Sequence, residues 1–123
     1  MPREDEHRLR AQRNEEFAAN LDRRDPTAHN WAVVAVFYSA LHYVQAYFAK
    51  FSVKCGSHED TENEFKKDAR IRQSYANYKF LHTLSHTARY KTSGLPANAY
   101  ELAKPQLDLL KRQIEHALNA NRN

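Results

Sequence analysis

The chain has few of the residues that interrupt helices, with two glycines and four prolines among 123 residues. Together with a hydrophobic content of 41%, this composition excludes a disordered chain and favours one ordered, mostly helical domain over residues 1–123. A single cysteine, Cys55, excludes an intramolecular disulfide and indicates a reducing compartment, so we expect a cytoplasmic protein. The charged opening MPREDEHRLR lacks the pattern of a signal peptide.

Asp, Glu, Lys and Arg are all missing from residues 26–49. A segment of that length could cross a membrane. Ser39, His42 and Gln45 would then lie inside the bilayer, where polar side chains are costly. We therefore interpret the segment as the central buried helix of a bundle, and we expect no membrane partner.

Breaks in the hydrophobic pattern divide the chain into five predicted helices, and no stretch alternates in the way that strands do. The expected fold is all-α, an up-and-down bundle of four or five helices. The first helix places Leu9, Phe17 and Leu21 on its apolar side. The predicted starts are Thr27 as the N-cap of the second helix, Ser57 with Asp60 as a capping box for the third, and Pro105 in the first turn of the last.

The basic excess is concentrated in the second half of the chain. Residues 76–123 hold seven basic and three acidic residues, within a net charge of +4. Such an excess favours nucleic acid or phosphate as a partner. A solvated surface of mixed charge is the alternative.

His42 lies within the most apolar stretch, FYSALHYVQAYF, where an imidazole needs a hydrogen-bond partner. We expect it to face the third and fourth helices, with a partner among four residues: His58, Tyr78, Ser85 and Arg89. The result is either a satisfied core histidine or a functional site. His82 and His86 have a spacing that suits metal ligands, but no further ligand is evident, and we expect neither metal nor cofactor.

Several runs in the chain together resemble the HEPN family, the higher eukaryote and prokaryote nucleotide-binding domain. They are NEEFAANL, WAVVAVFYSALHYVQAYFA, GSHED and SHTARY, and they span roughly residues 10–92. The most specific parts are Tyr38–His42, His58 and Ala88–Tyr90. The resemblance implies a helical bundle, commonly a homodimer, that works with RNA or nucleotide in toxin–antitoxin and anti-phage defence systems. Many members are metal-independent RNases, and others are accessory modules beside nucleotidyltransferases.

RNA cleavage without a metal needs a base, an acid and a cation near the phosphate. His42, His58 and Arg89 are the candidate catalytic residues. The candidate nucleic-acid-binding residues are Arg89, Tyr90, His86 and Lys91. The alternative function is a non-catalytic module that dimerises or docks on a partner such as an antitoxin or nucleotidyltransferase.

The family's nuclease motif places a histidine four to six residues after an arginine that is followed by a polar residue. Arg23 and Arg24 with His29 match this spacing, and Asp25 supplies the polar residue. However, these residues lie between the first two helices, whereas the motif belongs nearer the later helices. Whether the chain is an enzyme therefore stays open at this point.

Overall fold

The computed structural model describes residues 3–53, 55–90 and 94–120. They form five α-helices and one 3-10 turn, and 82% of the structure is helix. The helices are α1 (Glu4–Asn20), α2 (Pro26–Lys50), α3 (His58–Lys67), α4 (Tyr75–Tyr90) and α5 (Ala99–Ala120), with the 3-10 turn at Arg72–Ser74. The described ranges contain no β-strand, so the predicted all-α bundle is confirmed.

The central element is α2, which packs against α1, α4 and α5. It is long and apolar enough to cross a membrane, but 78% of its most apolar window is buried inside the bundle. That burial is what the core helix of a bundle requires, since a helix that is apolar on all sides needs neighbours on all sides. The short α3 contacts the rest of the bundle more lightly, through the buried Thr61 and Phe65.

The N-cap of α2 lies two positions earlier than predicted. Asp25, and not Thr27, is the N-cap: its carboxylate accepts from the backbone N–H groups of Thr27 and Ala28, and Pro26 occupies the first helical position. The cap predicted for α3 is confirmed, because the Ser57 hydroxyl accepts from the backbone N–H of Asp60 at 3.1 Å.

The apolar side predicted for α1 is wrong for Leu9 and Phe17, whereas Leu21, just after the helix, is half-buried and packs against the core. Leu9 and Phe17 are 45% and 53% exposed, and the buried residues are His7, Ala11 and Ala18. The two alanines let the helix backbones come close, and the Ser39 hydroxyl donates to the carbonyl of Ala11 at 2.8 Å. Large side chains at those positions would hold α1 away from α2.

Pro105 also lies elsewhere than predicted: α5 begins at Ala99, so Pro105 is inside the helix and not in its first turn. Proline costs one backbone hydrogen bond there. The preceding turn is retained because Ala99, Tyr100 and Ala103 are buried against the bundle, whereas Pro105 faces solvent.

Candidate nucleic-acid interface

Arg89 is held at the end of α4 by contacts with α2. Its Nη1 donates to the Tyr38 hydroxyl at 3.2 Å, and its Nε donates to the carbonyl of Ser85 at 3.3 Å. Its guanidinium carbon lies 5.9 Å from the ring centroid of Tyr38 and 5.1 Å from that of Tyr90. The charge is thus fixed between two aromatic rings in a half-buried position.

Beside Arg89 lies a groove of about 280 Å³ between the first half of α2 and the last turn of α4, which we name the aromatic groove. Trp31 and Tyr90, at its rim, are 55% and 65% exposed. It is lined by Thr27, Asn30, Trp31, Val34, Ala88, Arg89 and Tyr90. Its walls are largely apolar, with one guanidinium and two neutral polar side chains, which is the chemistry of a site for a flat polar ligand.

The structure brings together three of the four predicted nucleic-acid-binding residues. His86 is exposed, and its ring lies 4.9 Å from that of Tyr90, which in turn packs near the guanidinium of Arg89. Lys91, the fourth, lies outside the described residues. Trp31 was not among the predicted binding residues, although a tryptophan in the first turns of an apolar helix is a signal that the sequence does contain.

Two histidines, His58 at the start of α3 and His82 on α4, contact each other. The rings of His58 and His82 have centroids 6.1 Å apart, and His82 stacks on the ring of Phe37 at 5.1 Å. The carboxylate of Glu62 accepts from Lys79 at 3.0 Å and lies 3.4 Å from Nδ1 of His82. Of the predicted catalytic residues, His58 therefore has a histidine neighbour, although not the one expected.

The pKa of His82 is lowered chiefly by burial, which disfavours the imidazolium. The positive charge of Lys79 lowers it further, and that of Arg89 adds a smaller effect. The carboxylate of Glu62 acts in the opposite direction but does not outweigh them. His82 is consequently neutral near pH 7.

Two buried hydroxyls belong to the same seam between α2 and α4. Tyr78 and Ser85 are fully buried, and within the described residues neither hydroxyl has a hydrogen-bond partner. Both residues were predicted as candidate partners of His42, and neither is its partner, which is His7. Burial is the main cause of a raised pKa for Tyr78, so its hydroxyl stays protonated.

His42 does not join this site, and the prediction that it faces α3 and α4 is wrong. Its Nδ1 lies 3.1 Å from Nδ1 of His7 on α1, within hydrogen-bond distance. Burial, followed by the charges of His7 and Arg10, lowers the pKa of His42 to about 4. The side chain is partnered and neutral, which is the satisfied core histidine of the two alternatives. His7 offered no signal of this pairing.

Two residues of the formal arginine–histidine match, Arg23 and His29, make structural contacts with Tyr100. Nε2 of His29 accepts from the backbone N–H of Tyr100 at 3.2 Å, at the start of α5, and His29 is only 6% exposed. The guanidinium carbon of Arg23 lies 4.2 Å from the centroid of the Tyr100 ring. This histidine holds two helices together, and its Nε2 is not free for proton transfer.

Comparison of the chain with protein-family models, characterised proteins and solved structures finds no match. Across residues 3–53, 55–90 and 94–120, no group of three or more His, Cys, Asp or Glu side chains could hold a metal ion. Cys55 is half-buried, and burial raises the pKa of its thiol.

Proposed function

We propose that the protein is an HEPN-like helical bundle that binds single-stranded RNA or a nucleotide in the aromatic groove. The observation that carries the proposal is the pair of exposed rings, Trp31 and Tyr90, on either side of a groove that also contains the fixed guanidinium of Arg89. Proteins hold unpaired bases by stacking them on aromatic rings, with arginine at the phosphates.

The energetic argument begins with the two rings. Each stacked base contributes about 1–3 kcal/mol of binding free energy. Arg89 uses its Nε and Nη1 to bond Ser85 and Tyr38, so the guanidinium is oriented before a ligand arrives. A guanidinium has five N–H donors, and those that remain can donate to a phosphate.

Two further observations support RNA or nucleotide as the ligand. The net charge of +4 attracts a polyanion. The HEPN resemblance includes Ala88–Tyr90, the segment that forms one wall of the groove. On the same resemblance, we propose a cytoplasmic homodimer that works beside an antitoxin or a nucleotidyltransferase.

Metal-independent RNA cleavage is a second candidate activity, favoured by the contact of His58 with His82, which lies two turns before Arg89 on α4. The neutral His82 would take the proton of the 2′-hydroxyl, and the exposed His58 would return one to the leaving oxygen. Arg89 would stabilise the charge that develops on the phosphate. His42 has no part in this scheme.

The chain's one tryptophan is the direct test of binding. Trp31 fluorescence should be quenched when the protein is titrated with single-stranded RNA, because a stacked base contacts the indole. Tyr90→Ala should weaken binding by about 5- to 150-fold, which corresponds to the loss of one stacked base. Phe17→Ala is the matched control, since Phe17 is an exposed aromatic on α1. Unchanged fluorescence, or equal weakening by both variants, would reject the proposal.

Cleavage is tested separately, with total RNA and tRNA in the presence of a chelator. His82→Ala and His58→Ala should each abolish product formation while Trp31 quenching persists. His116→Ala, at an exposed position of α5, serves as the control. If the protein quenches but leaves all RNA intact, binding stands and the cleavage candidate is rejected.

A further inference from the structure

A second cavity, of about 350 Å³, lies next to the aromatic groove, and we name it the basic cavity. It lies where the chain enters α2 and where Gly94–Ala97 leads into α5. Arg23 and Arg24 line it, together with Pro26, His29, Asn30 and Leu95. None of the described residues that line it is acidic.

Asn30 connects the two cavities because it lines both of them. Along α2, Thr27 and Trp31 share the face that borders the aromatic groove, whereas Pro26 and His29 lie on the adjoining face. One turn of α-helix rises only about 5.4 Å, so the two cavities meet around the first turns of α2. The two cavities are therefore adjacent, and Asn30 lies at the boundary between them.

The two arginines of the basic cavity are held differently. Arg23 is ordered, since its guanidinium lies over the ring of Tyr100 and its Nη1 donates to the carbonyl of Ala19 at 3.1 Å. The side chain of Arg24 is 93% exposed and pairs with the carboxylate of Asp22 at 3.1 Å. An exposed pair of this kind is weak and exchanges readily for a phosphate.

We infer that the basic cavity binds a backbone phosphate of the same strand whose base stacks in the aromatic groove. The ligand is then single-stranded RNA of at least a dinucleotide, and a mononucleotide fills only the groove. This inference rests on the proposed function and adds the length and path of the ligand. His29 contributes shape here, because its Nε2 is already bonded to the backbone of α5.

The test compares uridine monophosphate with oligouridylates of about two, four and eight nucleotides, measured by Trp31 quenching and by anisotropy of labelled RNA. Affinity should rise from the monophosphate to the dinucleotide and beyond. Arg24→Ala should weaken binding of the oligomers several-fold and lower the slope of log K against log salt by about 0.7, the value for one phosphate contact on a single strand. It should leave binding of the monophosphate unchanged.

Two further variants complete the design. Asp22→Asn should tighten binding of the oligomers, because it releases the guanidinium of Arg24 from its pair. Arg112→Ala, at an exposed position farther along α5, is the matched control and should change neither the affinity nor the salt slope beyond the loss of a distant charge.

The results distinguish failure of the basic cavity from failure of the aromatic groove. Two results would overturn the basic cavity but leave the aromatic groove in place. One is quenching by the monophosphate with no gain in affinity from longer RNA. The other is an equal effect of Arg24→Ala and Arg112→Ala on RNA affinity. Absence of quenching by every ligand overturns the proposed function and this inference together. A length-dependent gain that Arg24→Ala removes supports both.

Discussion

The two sides of α2 differ in how completely the buried polar groups beside them are partnered. Towards α1, the polar side chains are partnered: Ser39 bonds Ala11, His42 pairs with His7, and the Tyr43 hydroxyl donates to the carboxylate of Glu15 at 3.1 Å. Towards α4, the Tyr38 hydroxyl accepts from Arg89, but the buried hydroxyls of Tyr78 and Ser85 have no partner within the described residues.

Under the proposed function, the α1 side contributes to stability and the α4 side holds the binding groove. A polar group that has a partner inside the protein contributes to a single packed arrangement. Buried groups left without partners carry a free-energy cost. The α4 side also has the exposed Trp31 and Tyr90, whereas the α1 side presents alanines at its seam.

The largest expected effect distinguishes core from surface within one residue type. Phe37→Ala should lower the free energy of unfolding by about 3–5 kcal/mol, because Phe37 is fully buried between α2 and α4. Phe17→Ala should change it by no more than about 0.5 kcal/mol, since Phe17 is 53% exposed. Chemical denaturation measures both. A similar loss of unfolding free energy for the two variants would show that Phe17 is buried in solution.

The pair between His7 and His42 gives the next effect. His42→Ala should lower the free energy of unfolding by about 1–3 kcal/mol, because Nδ1 of His7 loses its partner. RNA affinity, measured by Trp31 quenching, should not change. Weaker RNA binding at an unchanged melting temperature would instead place His42 in the functional site and remove the contrast between the two sides.

A matched pair of tyrosine variants compares the sides directly. Tyr43→Phe should cost about 0.5–1.5 kcal/mol of unfolding free energy, since the hydroxyl bonded to Glu15 is lost. Tyr78→Phe should be neutral or slightly stabilising, because its buried hydroxyl has no partner among the described residues. The comparison is made by thermal and urea unfolding. A larger loss for Tyr78→Phe would mean that this hydroxyl is partnered in solution.

The last expected effect is a dependence of stability on pH. Burial is the first cause that lowers the pKa values of His7 and His42 in the folded protein, that of His42 to about 4 from an ordinary 6.5. Between pH 6.5 and about 4, the unfolded chain binds more protons than the folded protein. The free energy of unfolding should therefore fall as the pH falls through this window.

Melting temperature followed across that window measures the slope. His42→Gln should flatten it, whereas His116→Gln, at an exposed position on α5, should leave it as in the parent protein. A slope that is the same in all three proteins would assign the pH dependence to other groups, with His82 as the next candidate because its pKa is also lowered by burial.

Much of the fold could be predicted because it depends on local pattern. The absence of charge over residues 26–49 indicated the central helix, and Ser57 with Asp60 indicated the start of α3. The errors were local signals that tertiary packing outweighed. Ala11 and Ala18, together with His7, form the buried side of α1 in place of Leu9 and Phe17. The two alanines allow the close approach to α2.

The candidate site could be predicted only in its α4 half, where His86, Arg89 and Tyr90 follow one another in the chain. Trp31 belongs to the other wall of the groove and was not identified. His58 has His82 as its neighbour where His42 was expected. Each of these pairings joins residues that are distant in sequence, and short-range spacing contains no information about them.

The sequence by itself determined that the chain is all-α, that α2 is the central element and that polar groups within it need partners. Tertiary structure alone decided which partner each group has. The physical reason lies in α2, which is apolar on all sides. Its sequence therefore has no single apolar face, and the pattern does not predict which face meets α1 and which meets α4. The packing of the other helices settles that choice, placing His42 against His7 and Tyr38 against Arg89.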